Sequence, residues 1–318
     1  MPLDIDPQRM YQWNVSYERQ FWTNWMIGMN YIGNYSTHLW LGKEINPATY
    51  IPGASTVANT NTRRYLYLTN PTQGQYFADV PTTDDSGTGR YNGLLVSLNR
   101  RMSNHWSLLS NFTWSKCEND GDPGIDITNF YPDPNDPKSN RGPCNSDRRY
   151  MYNGSVILQS PGLGSGAARV ITEGWQLATI VQLRSGQSFT PSMTGDLALT
   201  GLNNQRPIVV GDPGQLTGDQ SRLNWFNKAA FTANTPGVWG SATRGMIRGP
   251  MYGNVDMSLT RTFNLGASRR VEVRAEAFNV FNRFQLGDPV VNFNSANFGQ
   301  IITAMAPRVM QFAAKFEF

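Results

Sequence analysis

The sequence predicts an all-β protein, an antiparallel up-and-down barrel of membrane-crossing strands, and three observations predict it. Apolar and polar side chains alternate with period 2 through nine segments, at about 11–20, 25–35, 90–101, 105–116, 148–159, 172–186, 252–264, 269–281 and 307–318. These segments run 10 to 15 residues, whereas strands of soluble sheets average about 5–6 and a tilted strand needs about 9–11 to cross a bilayer. The connections between them are alternately short and long, which is how an outer-membrane barrel joins its strands.

Composition closes off the other classes. Only 16 % of the 318 residues are charged and 39 % are hydrophobic, both below the roughly 25 % and ~45–50 % of an average soluble domain. Aromatic residues reach 12 %, which argues against disorder, and the polar remainder argues against a helical bundle. No run of apolar residues is long enough for a transmembrane helix. The net charge of +4 is spread along the chain, so no nucleic-acid partner is expected. Met1-Pro2-Leu3-Asp4-Ile5-Asp6 has neither a basic start nor an apolar core and does not read as a signal peptide.

The alternation is clearest in four strands. In the fourth, Trp106, Leu108, Ser110, Phe112 and Trp114 share one face. In the sixth, Trp175, Leu177, Thr179, Val181 and Leu183 do so, and in the eighth, Val271, Val273, Ala275 and Ala277. The last strand sets Met310, Phe312, Ala314, Phe316 and Phe318 against Gln311, Ala313, Lys315 and Glu317. Trp106 and Trp114 lie about 26 Å apart along their strand, or roughly 20 Å across the membrane at a tilt near 40°, close to the ~25 Å apolar band of membrane barrels. With Trp175 they are the expected aromatic girdle.

Short connections fall near Phe21–Asn24, Met102–Asn104, 160–171 and Gly266–Ser268, and long ones at 36–89, 117–147, 187–251 and 282–306. The short side is expected to be periplasmic and the long side extracellular. Counting back nine strands from a descending C-terminal strand leaves Met1 outside the cell, whereas a complete bacterial barrel has an even strand number. The expectation is therefore a piece of a larger barrel; one more strand in 36–89, at Arg64–Leu68, would change that parity. Residues 1–318 read as a single wall domain.

The C-terminal pattern Met310, Phe312, Ala314, Phe316, Phe318 resembles the signal by which the barrel-assembly machinery recognises outer-membrane proteins, since an exposed edge strand can be captured by strand addition. Further segments resemble the C-terminal part of Oar-like TonB-dependent receptors: Gly174-Trp175-Gln176, Arg184-Ser185-Gly186-Gln187-Ser188-Phe189, Asn224-Trp225-Phe226-Asn227-Lys228-Ala229-Ala230-Phe231, Arg248-Gly249-Pro250, Asn254-Val255-Asp256-Met257-Ser258-Leu259, Arg274-Ala275-Glu276-Ala277-Phe278-Asn279-Val280-Phe281-Asn282 and Phe298-Gly299-Gln300-Ile301. The resemblance implies a 22-stranded outer-membrane barrel that encloses an N-terminal plug and takes up a large or scarce ligand when TonB pulls the plug. Plug, coupling motif, signal peptide and about half the strands have no counterpart in this sequence. The implied partners are outer-membrane lipid, the assembly machinery, the plug with the other barrel half, and TonB through that plug.

Cys117 and Cys144 bracket one long loop, and a disulfide there would clamp its base. Glu118, Asp120, Asp122, Asp126, Asp133 and Asp136 make that loop acidic, but their spacing is not that of a calcium loop, and a solvated acidic loop is expected, with no metal. Gly162-Leu163-Gly164-Ser165-Gly166-Ala167 matches G-x-G-x-x-A, yet no amphipathic helix is expected after it and Gln182 stands where an acidic residue belongs, so it reads as a turn and no cofactor is expected. His38 and His105 fall at opposite barrel ends; Ser36 beside His38 is the one nucleophile candidate, on the same strand face, and no enzyme is expected. Glu272, Arg274, Glu276, Lys315 and Glu317 are expected to face the lumen, since Arg or Lys facing lipid costs about 2–4 kcal/mol at mid-bilayer. Competing readings are a self-contained small porin or surface-binding barrel, and a soluble carbohydrate-binding β-protein.

Overall fold

The computed structural model describes residues 5–121, 132–203, 205–266 and 269–318. Of the residues singled out in the sequence, Met1–Asp4, Asp122, Asp126 and Ser268 lie outside these. Nine long strands follow one another: β1 (Arg9–Gln20), β2 (Trp25–Glu44), β3 (Pro81–Ser103), β4 (Trp106–Asn119), β5 (Tyr150–Pro161), β6 (Glu173–Arg184), β7 (Tyr252–Asn264), β8 (Arg270–Phe278) and β9 (Val309–Glu317). Each pairs antiparallel with its sequence neighbour in one meandering sheet, with Gly142–Pro143 added beside the end of β4. The sheet is open: β1 and β9 are its edges and do not pair with each other. Among the described residues no helix is long and apolar enough to cross a membrane.

Seven strands begin and end within three residues of the sequence expectation. The other two are longer. β2 runs on to Glu44 and β3 starts at Pro81, so the two ends of 36–89, at 36–44 and 81–89, are ladder and not loop. The ladder shifts register between Ser36 and Leu41, where His38 adopts φ 54°, and beyond it Leu39 and Leu41 turn inward to become 7 % exposed. Arg64–Leu68, the candidate tenth strand, is not one: Tyr65–Thr69 is a single helical turn. The count of nine stands among the described residues.

All the connections at one end are short, and all those at the other are long: 45–80, 120–149, 185–251 and 279–308. The buried apolar residues are gathered in these long segments and the adjoining end of β2, not in the membrane-length part of the sheet. Phe226, Ala230, Phe231, Ala242, Ile247 and Phe298 form their core, with the Phe226 and Phe298 rings 5.0 Å apart in edge contact. The long loops are therefore a packed cap. Among the described residues no second sheet packs on the apolar face of the sheet below it, as a β-sandwich would require.

Candidate functional site

Pairing register carries the strand pleat from one strand to the next, so one row of partners lies on one sheet face. Trp106 pairs with Leu158, then Leu177, Leu259, Ala275 and Phe312 in turn across five further strands. Another row runs Tyr17, Met29, Val96, Phe112, Tyr152 and Leu183. Offset by one residue is the row Glu18, Gly28, Ser97, Asn111, Asn153, Gln182 and Asn254. One face is thus a continuous apolar surface and the other is lined with amides, hydroxyls and charges. The four faces read from the sequence in β4, β6, β8 and β9 fall on one side of the sheet.

Rings gather at the two margins of the apolar face. At the short-turn end, Trp25 meets Trp106 with centroids 5.7 Å apart, and the Arg100 guanidinium lies 3.8 Å from the Trp106 ring centre. Arg261 covers Trp175 at 4.9 Å and Phe263 at 4.4 Å. At the long-loop end, Trp114 stands exposed and Phe112 stacks on Tyr150 at 6.3 Å. Trp106 and Trp175 belong to one margin and Trp114 to the other. The sequence reading missed Phe21, Trp22 and Trp25, which cluster at the first turn; their position beside a tight turn was the available signal. Between the margins, the apolar face of β4 to β9 carries no charged side chain in the rows read from the register. On the edge strand β1, Arg19 shares this face near the first turn, in the row of Ile27 and Leu98.

On the polar face, Glu272 sits opposite Lys315 and Glu276 opposite Gln311. Arg274 reaches Glu276 at 3.4 Å and Glu272 at 4.0 Å, Lys315 reaches Glu317 at 2.5 Å, and Arg270 also binds Glu317. The charges neutralise one another along and across β8 and β9. Met310, Phe312, Ala314 and Phe316 project from β9, with Phe318 just beyond its end, and all are largely exposed beside an unpaired strand edge.

The cap is built from the motif segments. Trp225 donates from its backbone N–H to the Gly299 carbonyl at 2.8 Å and from its indole to the Arg248 carbonyl at 2.8 Å. Gly186 lies so close to Gly249 that a Cβ on it would stand 1.8 Å from the Gly249 oxygen, and Ser188–Phe189 pairs there with Ile247–Arg248. Asn279 ends β8 at φ 53°, with its N–H donating to Asp256 at 2.8 Å and its side-chain oxygen accepting from the Arg283 N–H at 2.9 Å. Asp147, 2 % exposed, accepts from the Cys117 N–H at 2.9 Å and from Arg248 at 2.7 Å. Cys117 and Cys144 are joined by a disulfide, their Cα atoms 5.4 Å apart. Burial, and then neighbouring Arg244, pull the Arg206 guanidinium down to about 10.

Acidic residues of the cap act as local braces. Asp120 accepts from Thr88 N–H at 2.8 Å and Arg141 at 2.9 Å, while Asp133 and Asp136 accept from Asn135 and Lys138 N–H groups. A short helix, Ala167–Thr172, with no buried residue begins at the last residue of the G-x-G-x-x-A segment; the Thr172 hydroxyl, donating to the Ala168 carbonyl at 2.9 Å, closes it within a turn between strands. His38 lies 3.7 Å from both Asp6 and Asp85. The bulge also separates it from the regular alternation, so Ser36, 7 % exposed, does not share a plain strand face with it as the sequence spacing suggested. His105 is in the turn between β3 and β4, at the other end.

Residues 1–311 match the family model of the outer membrane beta barrel domain. The chain belongs to that family. Membership in this outer-membrane family gives the two-faced sheet its setting: the apolar face is the one a membrane barrel turns to lipid. The outer membrane transporter YddB from Escherichia coli superposes with a TM-score of 0.52 over 99 % of this chain and 33 % of its own, at 9 % identity. BauA, the ferric preacinetobactin receptor from Acinetobacter baumannii, does so with a TM-score of 0.46 over 98 % of this chain and 30 % of its own, at 11 % identity. This outer-membrane barrel chain spans about a third of the length of each. No curated protein matches it in sequence.

Proposed function

We propose that residues 1–318 are one sector of the barrel wall of an Oar-like TonB-dependent receptor, which takes up a large or scarce ligand across the outer membrane. In this reading the short turns face the periplasm and the cap faces outward, where ligand is first met. The polar face looks into the lumen, toward a plug that couples to TonB. The ligand-moving work belongs to the assembled receptor, and this sector would be inactive alone. Its partners are outer-membrane lipid, the assembly machinery acting on the Phe318 strand, and the strands that extend both edges.

The observation that carries this reading is a continuous apolar face on a sheet whose two edges are unpaired. An open edge of this length is a pairing surface, and a barrel leaves none. Cysteines placed at Val15 and Phe312, on the outward faces of β1 and β9, test it in outer-membrane preparations. The wall reading predicts no β1–β9 cross-link within a chain. Efficient intramolecular cross-linking would show a closed nine-stranded cylinder and support the small-barrel alternative.

A further inference from the structure

Across β2, β3 and β4 the register places large side chains on both sides of smaller ones. Tyr31, Leu94 and Trp114 form one row, and Met29, Val96 and Phe112 form the next toward mid-sheet. The aliphatic side chains of β3 thus floor a trough whose walls are the larger side chains of β2 and β4, running along the strand direction. The row toward the cap is Gly33, Asn92 and Lys116. Its glycine is covered by Trp13, whose ring would lie 2.3 Å from a Cβ at Gly33, and the Tyr31 hydroxyl donates to Asn92 at 2.8 Å. The upper trough is a groove of about 310 Å³ ending at Lys116 and Arg149.

Those two cations give the groove its polarity. Lys116 has Glu118 at 2.5 Å. Arg149 lies 3.6 Å from Asp147, and Asp147 is held more tightly by Arg248 at 2.7 Å. The Arg149 charge is therefore incompletely matched, at the rim of an apolar channel.

We propose that this groove seats one anionic membrane lipid, its acyl chain lying along β3 between the side chains of β2 and β4 and its phosphate head group facing Lys116 and Arg149. An apolar trough that ends at Lys116, beside Glu118, and at Arg149, whose carboxylate partner is shared with Arg248, offers an acyl chain its floor and an anionic head group a cation with charge to spare. The inference rests on the membrane-facing assignment of the apolar face.

The test is lipid retention by the full chain reconstituted in phosphatidylcholine vesicles doped with phosphatidylglycerol, extracted and weighed by native mass spectrometry. Phosphatidylglycerol should be retained, and Lys116→Ala/Arg149→Ala should lower retention about tenfold. Leu94→Trp keeps both cations but fills the trough, and should lose the lipid as well. Equal retention by all three chains would overturn the site and leave only bulk lipid. Displacement of the lipid by soluble glycerophosphate would also overturn it, by showing a phosphate site with no use for the trough; failure to displace supports it. Tryptophan quenching by brominated lipid separates the two readings. Without quenching the membrane assignment itself falls, whereas quenching with equal retention removes only the lipid seat.

Discussion

Gly186 and Gly249 show how much of the cap depends on single residues. Their backbones touch where two short segments, Ser188–Phe189 and Ile247–Arg248, form a ladder above β6. Gly186→Ala would push these segments apart, at about 1–3 kcal/mol for an overpacked site. Denaturant titration read on cap tryptophan Trp225 should move its midpoint down, while the far-ultraviolet strand signal keeps its own. The Cys117–Cys144 bridge acts at the same scale. It closes the loop that carries Asp120 and Asp136, and removing it by Cys117→Ser should cost roughly 3 kcal/mol in the chain-entropy model. Limited proteolysis should then cut within 120–149 in the variant or after reduction, and leave the oxidised protein intact there. The cysteine pair was legible in the sequence as a loop-bracketing disulfide, and the structure joins the two. Gly186 and Gly249 were visible only as motif members; their contact was not, because a close approach between residues 186 and 249 depends on loops whose path no local pattern encodes.

At the scale of one strand, neighbouring residues have opposite surroundings. Leu259 lies on the apolar row between Leu177 and Ala275, while Ser258 lies between Ala178 and Glu276 on the polar face. Met257→Arg, farther from the Arg261 margin, should cost about 2–4 kcal/mol in a refolding titration into bilayers, and Leu259→Arg less, since the cost falls toward the interface. Ser258→Arg should change stability by no more than about 0.5 kcal/mol, since its side chain enters the solvated face. Strand positions were the most legible level of the fold, because a helix, with its period of 3.6, cannot produce a period of 2 sustained over ten residues. Where the reading stopped short, in β2 and β3, the cause was the bulge at His38. A bulge inverts the alternation, so residues 36–44 read as loop although Leu39 and Leu41 continue the ladder. Residues 65–69 misled in the other direction: Tyr65-Leu66-Tyr67-Leu68 suits either a strand or a turn of helix, and Asn46 accepting from the Leu66 N–H at 2.8 Å holds the turn.

The whole molecule is a sheet with two chemically distinct faces and a cap that holds most of its buried apolar side chains. Such a sheet is stable only where something other than water covers Phe112, Leu259 and Phe312, and membership of the outer membrane beta barrel family supplies lipid for that role. The division of labour follows. Apolar rows hold the wall in the membrane, the paired charges of β8 and β9 sit on the far face, and the motif-built cap sits over one end. The motif segments that suggested a receptor thus belong mostly to the cap and to strand ends, where chain reversals and buried hydrogen bonds constrain residue choice most. Periodicity alone separates Trp106, Trp114 and Trp175 from the charged face of the last two strands, whereas Trp25 and the groove between Tyr31 and Trp114 needed the pairing register.

Everything at this scale depends on one face of the sheet meeting lipid and the other meeting water. A cysteine scan along β7, one residue at a time from Tyr252 to Asn264, tests it when each variant in bilayers is labelled with a membrane-impermeant thiol reagent and with a lipid-soluble one. Val255, Met257 and Leu259 should react with the lipid-soluble reagent, and Asn254, Asp256, Ser258 and Thr260 with the impermeant one. A scan without that alternation, or with the two sets exchanged, would contradict the assignment of the two faces.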